Sequence, residues 1–184
     1  MNKQFIPTHG GYKNLLSYQK AEIVYDATVY FTQRFFRKGD RTIDQMVQAA
    51  RSGKQNIAEA SQASGTSKEM EIKLTNVARA SQEELLIDYQ DFLRIRKLIE
   101  WPKNHLYTKR LRDLNRQMNS NYETFQKGIE NENPEISTNV IIGLIKVTNY
   151  LLDQQIRRLE QDFLIEDGLR ERMTRATLAT RNKF

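Results

Sequence analysis

The sequence predicts an all-α protein: an antiparallel up-and-down four-helix bundle with one extra helix and a basic C-terminal extension. Three observations predict it. Eight Gly and three Pro in 184 residues favour long helices over turn-rich β structure. Apolar residues recur at spacings of three and four through five long segments, the signature of one buried helix face. Short breaks separate the segments, so antiparallel neighbours are the economical way to bury those faces.

The first helix is expected from about Tyr12, after Gly10-Gly11, to Arg37, burying Tyr18, Ala21, Val24, Thr28, Phe31 and Phe35. Gly39-Asp40 supplies a stop and a new cap. The second helix carries Ile43, Met46, Val47, Ala50, Ile57 and Ala58 to about Ser64, and Gly65 closes it. Thr66 or Ser67 caps the third, whose face reads Met70, Leu74, Val77, Ser81, Leu85, Phe92, Ile95 and Ile99, with Pro102 at or just beyond its end. The extra helix spans about 105–126, with Tyr107, Leu111, Leu114, Met118, Tyr122 and Phe125 on one side. Asn131 to Pro134 is a break. Ser137 or Thr138 then caps a last long helix bearing Ile141, Leu144, Ile145, Thr148, Leu151, Leu152, Ile156, Leu159 and Phe163, ended by Gly168. The domain reading is a bundle over 1–166, with a helical insertion at about 103–130, and a basic tail over 167–184. There is no internal repeat and no low-complexity tract.

Composition narrows the function classes. The absence of Cys excludes disulfides, thiolate metal sites and Cys nucleophiles. No apolar run approaches the roughly 18 residues needed to span a bilayer. The N-terminal residues lack a signal-peptide core, which places the chain in the cytoplasm as an expectation. A net charge of +6 and a pI near 9.5 favour anionic partners. Catalytic equipment is sparse. His9 and His105 are the only His, and no Glu-x-x-His pair, P-loop, dinucleotide Gly pattern, His-Glu-x-x-His or Gly-x-Ser-x-Gly occurs. Gly65-Thr66-Ser67-Lys68 is a helix turn, since it lacks the earlier Gly and the strand of a phosphate loop. No catalytic residue, metal site or cofactor is expected.

Polar residues stand where a helical core should be apolar. Asn56 and Glu59 lie three positions apart on one helix, and Ser81 and Glu84 repeat that spacing on the next. Antiparallel packing would bring the pairs together, with Arg51 or Arg79 answering the carboxylates. Such a network pins helix register. Two carboxylates in a bundle also suit acid-base work, although no nucleophile or metal ligand stands near them in sequence. Gly53 with Ala49, Ala50, Ser52, Ala58 and Ala60 thins one side of the second helix, for a close intramolecular contact or for a subunit interface.

These residues carry a resemblance. Gln45, Ala50-Arg51-Ser52, Asn56-Ile57-Ala58-Glu59-Ala60, Ser67-Lys68-Glu69 and Ala80-Ser81 with Glu84-Leu85 resemble the motif of one bacterial family. It comprises the four-helix-bundle proteins of 23S rRNA intervening sequences and their relatives, the accessory variability determinants of diversity-generating retroelements. The match covers about residues 12–99, and 137–166 by pattern. It departs at Gly53, at Ala60 for the usual Gly, and at Ala80 for a Gly. The added 100–134 segment and the tail resemble the extended, suffix-bearing subgroup. The resemblance implies a homopentamer, RNA or DNA as partner, and service to a reverse transcriptase or another RNA-handling protein.

Two basic clusters are candidates for nucleic-acid contact. One is Arg94, Arg96, Lys97, Lys103, Lys109, Arg110, Arg112 and Arg116, with Trp101 and Tyr107 interleaved; the other is Arg170, Arg172 and Arg175, with Arg181 and Lys183 beyond. Lys54, Lys68, Lys73 and Arg79 form a weaker set. Cations at helical spacing neutralise phosphates, and an exposed aromatic stacks on an unpaired base. The plain alternative is a solvated helix face, with Trp101 covering the bundle end. The expected function is therefore sequence-nonspecific, non-enzymatic nucleic-acid binding. A protein-protein scaffold without nucleic acid is the alternative.

Overall fold

Why the chain breaks where it does is visible at each helix end. In the computed structural model, which describes residues 9–117 and 119–165 with positions 174, 177 and 178, a 3-10 turn over Tyr12–Asn14 precedes α1, Leu16–Phe35. Helix α2 is Arg41–Ala63, and its cap Asp40 accepts a hydrogen bond from Thr42 N–H (2.9 Å). Helix α3 is Lys68–Ile95, capped by Ser67, which accepts from Met70 N–H (3.1 Å). Helix α4 is Leu106–Arg116, α5 is Tyr122–Ile129, and α6 is Pro134–Ile165. No strand occurs among the described residues.

The long helices pack antiparallel: α1 on α2, α2 on α3, and α3 on α6, while α1 also meets α6. The short pair α4 and α5 packs outside, both on α6 and α5 also on α1. A larger apolar cluster is built around Phe31, whose ring lies 4.8–4.9 Å from those of Phe35, Tyr89 and Phe92. A smaller one joins Ala21, Ile57, Ala78 and Leu152. Buried hydroxyls satisfy themselves locally, as Thr28, Thr75 and Thr148 donate to the carbonyl four residues back. Tyr89, fully buried, donates to Thr28 Oγ1 (3.1 Å).

Four sequence expectations change. The single extra helix is two: Gln117 turns extended, Asn119 takes φ 62, and Asn121 with Thr124 forms a capping box that restarts the chain. Ser137 and Thr138 do not cap α6. Its first residue is Pro134, and Asn133 accepts from Glu135 N–H (2.9 Å), while Ser137 is buried and donates to the Ile129 carbonyl (2.6 Å). Helix α3 stops before Pro102, at Ile95. Lys97 adopts φ 57, Lys97 N–H reaches the Arg94 carbonyl and Leu98 N–H reaches the Leu93 carbonyl, a Schellman closure with Leu98 folded onto the core.

The buried face of α3 is also rotated in its first half. Glu71, Thr75, Ala78 and Gln82 are inside, and Met70 and Val77 lie outside, 45% and 42% exposed. Ile95 and Ile99 are exposed as well. Among the described residues, no helix is long and apolar enough to cross a membrane. Gly168 and nearly all of the 167–184 tail lie outside the described residues.

Candidate functional site

The polar cluster on α2 and α3 assembles in a smaller form than its spacing suggests. Ser52 and Ser81 face each other with their hydroxyl oxygens 2.9 Å apart. Asn56 Nδ2 donates to the Ser52 carbonyl (2.9 Å) and to its hydroxyl (3.1 Å). Arg51, Glu59 and Glu84 are exposed and make no hydrogen bond or ion pair among the described residues. The reason is angular: residues three apart on a helix differ by about 60°. The α2 seam runs through Met46, Ala50, Gly53, Ile57 and Ala60, all buried, so Glu59 turns toward solvent. Arg79 pairs across to Asp153 on α6 (2.5 Å). The paired-carboxylate arrangement needed for acid-base work does not form here.

The residue that sequence reasoning missed is Gln82. Its side chain is fully buried beside Gly53, and among the described residues neither its amide nitrogen nor its oxygen has a hydrogen-bond partner. Gly53 makes room for it: a Cβ there would collide with Gln82 Nε2 and lie 3.0 Å from its Cδ and Cγ. The signal in the sequence was the glycine itself, placed mid-helix where it costs about 1 kcal/mol relative to Ala. Gln82, Ser81 and Ser52 thus separate the two apolar clusters, with Ala50 and Leu85 on one side and Ile57 and Ala78 on the other.

The basic cluster of the insertion is where charge concentrates. Residues 96–117 hold seven Lys and Arg (Arg96, Lys97, Lys103, Lys109, Arg110, Arg112, Arg116) against Glu100 and Asp113, a net +5 where the whole chain has +6. The structure sorts them. Arg116 pairs with Asp113 (3.7 Å), and Arg94 on α3 pairs with Asp91 (2.7 Å). Arg96 lies over the Phe92 ring, 3.7 Å from its centroid, and reaches the Phe35 carbonyl. Arg112 donates to the Lys103 carbonyl (2.5 Å), tying the loop before α4 to the helix. Lys97, Lys103, Lys109 and Arg110 are exposed and have no ion pair among the described residues. These four are the cations of this cluster left available to an anionic partner. Of the weaker set, Lys68 pairs with Glu71, and Lys54 lies over the Tyr25 ring. Arg170, Arg172, Arg175, Arg181 and Lys183 lie outside the described residues.

The insertion is held by few anchors. Leu111 is the one buried residue of α4, seated against Gly143 of α6 so closely that a Cβ on that glycine would overlap its Cδ2. Phe125 and Ile129 anchor α5. Asn139 of α6 clamps the preceding loop, accepting from Trp101 N–H (2.7 Å) and donating to the Ile99 carbonyl (2.8 Å). Lys20 of α1 is buried beneath the insertion. It donates to Ser120 Oγ (2.5 Å) and lies 5.0 Å from the Phe125 ring centroid; burial holds its amine below the ordinary lysine range.

Among the described residues no group of three or more His, Asp or Glu is placed to hold a metal ion. Asp88 of α3 is half-buried, and burial, then Glu84 and Asp91, raise its carboxyl above the ordinary range. No protein-family model, no curated protein and no solved structure matches this chain.

Proposed function

We propose that the chain is a non-enzymatic, sequence-nonspecific nucleic-acid-binding accessory protein whose contact edge is the segment 96–117. One observation carries this reading: that segment holds a net +5, and four of its cations are exposed and have no ion pair among the described residues. Cations on a loop and a helix face neutralise backbone phosphates and release counterions, and they carry no sequence information. RNA, DNA and hybrids are all suitable ligands. Assembly into a homopentamer and service to a reverse transcriptase belong to the same proposal through the family resemblance. Five copies of a +6 chain would carry about +30, a field strong enough to draw nucleic acid from a distance. The test is binding of labelled RNA and DNA across a salt series, read together with assembly mass. Binding that survives unchanged from low to high salt would reject the electrostatic mechanism.

A second reading, a protein-protein scaffold without nucleic acid, is favoured by a different surface. Met70, Val77 and Ile87 of α3 and Tyr150 of the neighbouring α6 are 42–62% exposed. Apolar side chains at helical spacing suit a partner helix or a second copy. Pull-down with the α3 variant Val77→Asp, compared with the parent, discriminates this reading from the first.

A further inference from the structure

We propose that Trp101, His105 and Tyr107 form a stacking platform for an unpaired base, so that the basic edge takes single-stranded nucleic acid in preference to duplex. The proposal rests on the nucleic-acid reading above and deepens it. The three rings contact one another: Trp101 and His105 are stacked at 4.8 Å and 19°, Tyr107 lies 5.3 Å from Trp101, and Tyr107 lies 5.6 Å from His105. Trp101 packs its half-buried indole on the core, and its backbone N–H is fixed by Asn139. The platform is therefore rigid before any ligand arrives, which limits the ordering cost of binding.

Tyr107 is the ring left available, 50% exposed beside Leu106, itself 74% exposed. Arg110 lies three positions beyond Tyr107 on α4, about 60° around the helix, and is the cation beside that ring, whereas Lys109 neighbours Leu106 and stands about 160° from Tyr107. Lys103 occupies the loop between Trp101 and His105, tied to Arg112 through its carbonyl. Aromatic surface bordered by unpaired cations matches a single strand, which offers a free base face and flanking phosphates together. A duplex hides its base faces and leaves only the phosphates to contact. Stacking accepts any base, in keeping with nonspecific binding, and one stacked base is worth roughly ten- to a hundredfold in affinity.

The experiment uses the full chain with a fluorescein-labelled 15-nucleotide DNA strand, the same strand as a duplex, and the parent, Tyr107→Ala, Tyr107→Phe and Arg110→Glu proteins. Trp101 is the only tryptophan, so its emission reports on the platform directly. The parent is expected to bind the single strand about tenfold or more tighter than the duplex, with quenching of Trp101. Tyr107→Ala should lose that preference while keeping duplex affinity, Tyr107→Phe should retain it, and Arg110→Glu should weaken both ligands. Equal affinities in the parent, or an unchanged ratio in Tyr107→Ala, would overturn the platform and leave the nucleic-acid reading standing. Binding to neither ligand at low salt would remove both. Trp101 quenching by anionic phospholipid vesicles but by neither oligonucleotide would reassign the surface to a membrane and overturn the proposal.

Discussion

Replacing Gly53 with Ala tests whether the α2–α3 seam is built around the Gln82 side chain. In an ordinary helix interior the change stabilises by about 0.8–1 kcal/mol, because Ala has the higher helix propensity. At this position the new methyl would collide with Gln82 Nε2 and press on Cδ and Cγ at 3.0 Å. Gln82 is fully buried, so its side chain has no exposed space to swing into. Overpacking of this kind costs typically 1–3 kcal/mol, which offsets the propensity gain and leaves Gly53→Ala destabilising by up to about 2 kcal/mol. In a Gln82→Ala background the obstruction is gone, and the same substitution should stabilise by about 0.5–1 kcal/mol. Urea unfolding of the four proteins of this cycle measures both signs, and the coupling should be about 2 kcal/mol. Additive effects, or a stabilising Gly53→Ala in the parent, would refute the reasoning that Gly53 exists to admit Gln82.

Three further substitutions probe the insertion and its anchors. Lys97→Gly should stabilise by about 1 kcal/mol, because Lys97 holds φ 57 at the end of α3 where glycine has no steric penalty; the urea midpoint should rise with an unchanged slope. Leu111→Ala should speed amide hydrogen exchange in α4 while leaving the slowest exchange of α3 and α6 intact, since Leu111 is the one buried side chain of α4. Lys20→Met should stabilise at neutral pH by removing a buried charged amine, because its partner Ser120 is only half-buried and its hydroxyl can turn to water. Burial lowers the folded-state pKa of Lys20 below its ordinary 10.5, so between the two values the unfolded chain binds more protons. Stability from this group is full above 10.5 and is lost as pH falls through the folded value, so the benefit of Lys20→Met should shrink as pH rises. Tyr89 and Tyr122, whose phenols burial holds above the ordinary range, act in the opposite sense above pH 10. Comparing parent with variant at each pH cancels their contribution. A gain from Lys20→Met that is equal at pH 7 and pH 10 would contradict the assignment.

The caps at Asp40 and Ser67 were legible because each supplies a local oxygen to its own helix start, a signal contained in a few residues. The α1 stripe was legible for a similar reason: Ala21, Val24, Thr28 and Phe31 are all buried. The α3 stripe was legible at Ser81, Leu85 and Phe92, which are buried, but not in its first half, where the inner face carries Glu71 and Thr75 while Met70 and Val77 face out. Apolar periodicity follows the wrong face when the interior is polar, and local back-bonding of Thr75 hides its cost from sequence. The split of the extra helix was signalled by Asn119-Ser120-Asn121, a run of turn-forming side chains overridden in the reading by regular apolar spacing. At the candidate site the cations were found by composition, but which of them are paired depends on Asp91 and Asp113 lying one turn away and on the fold bringing Phe92 beneath Arg96.

The most direct test of the central claim is the salt dependence of single-strand binding by the parent and by the Lys103→Gln, Lys109→Gln, Arg110→Gln triple variant. Each phosphate contact contributes about 0.7 to the slope of log affinity against log salt for a single strand. The slope should be shallower by about 2 in the variant, with weaker binding at every salt concentration. An unchanged slope would place the contact surface elsewhere and contradict the account.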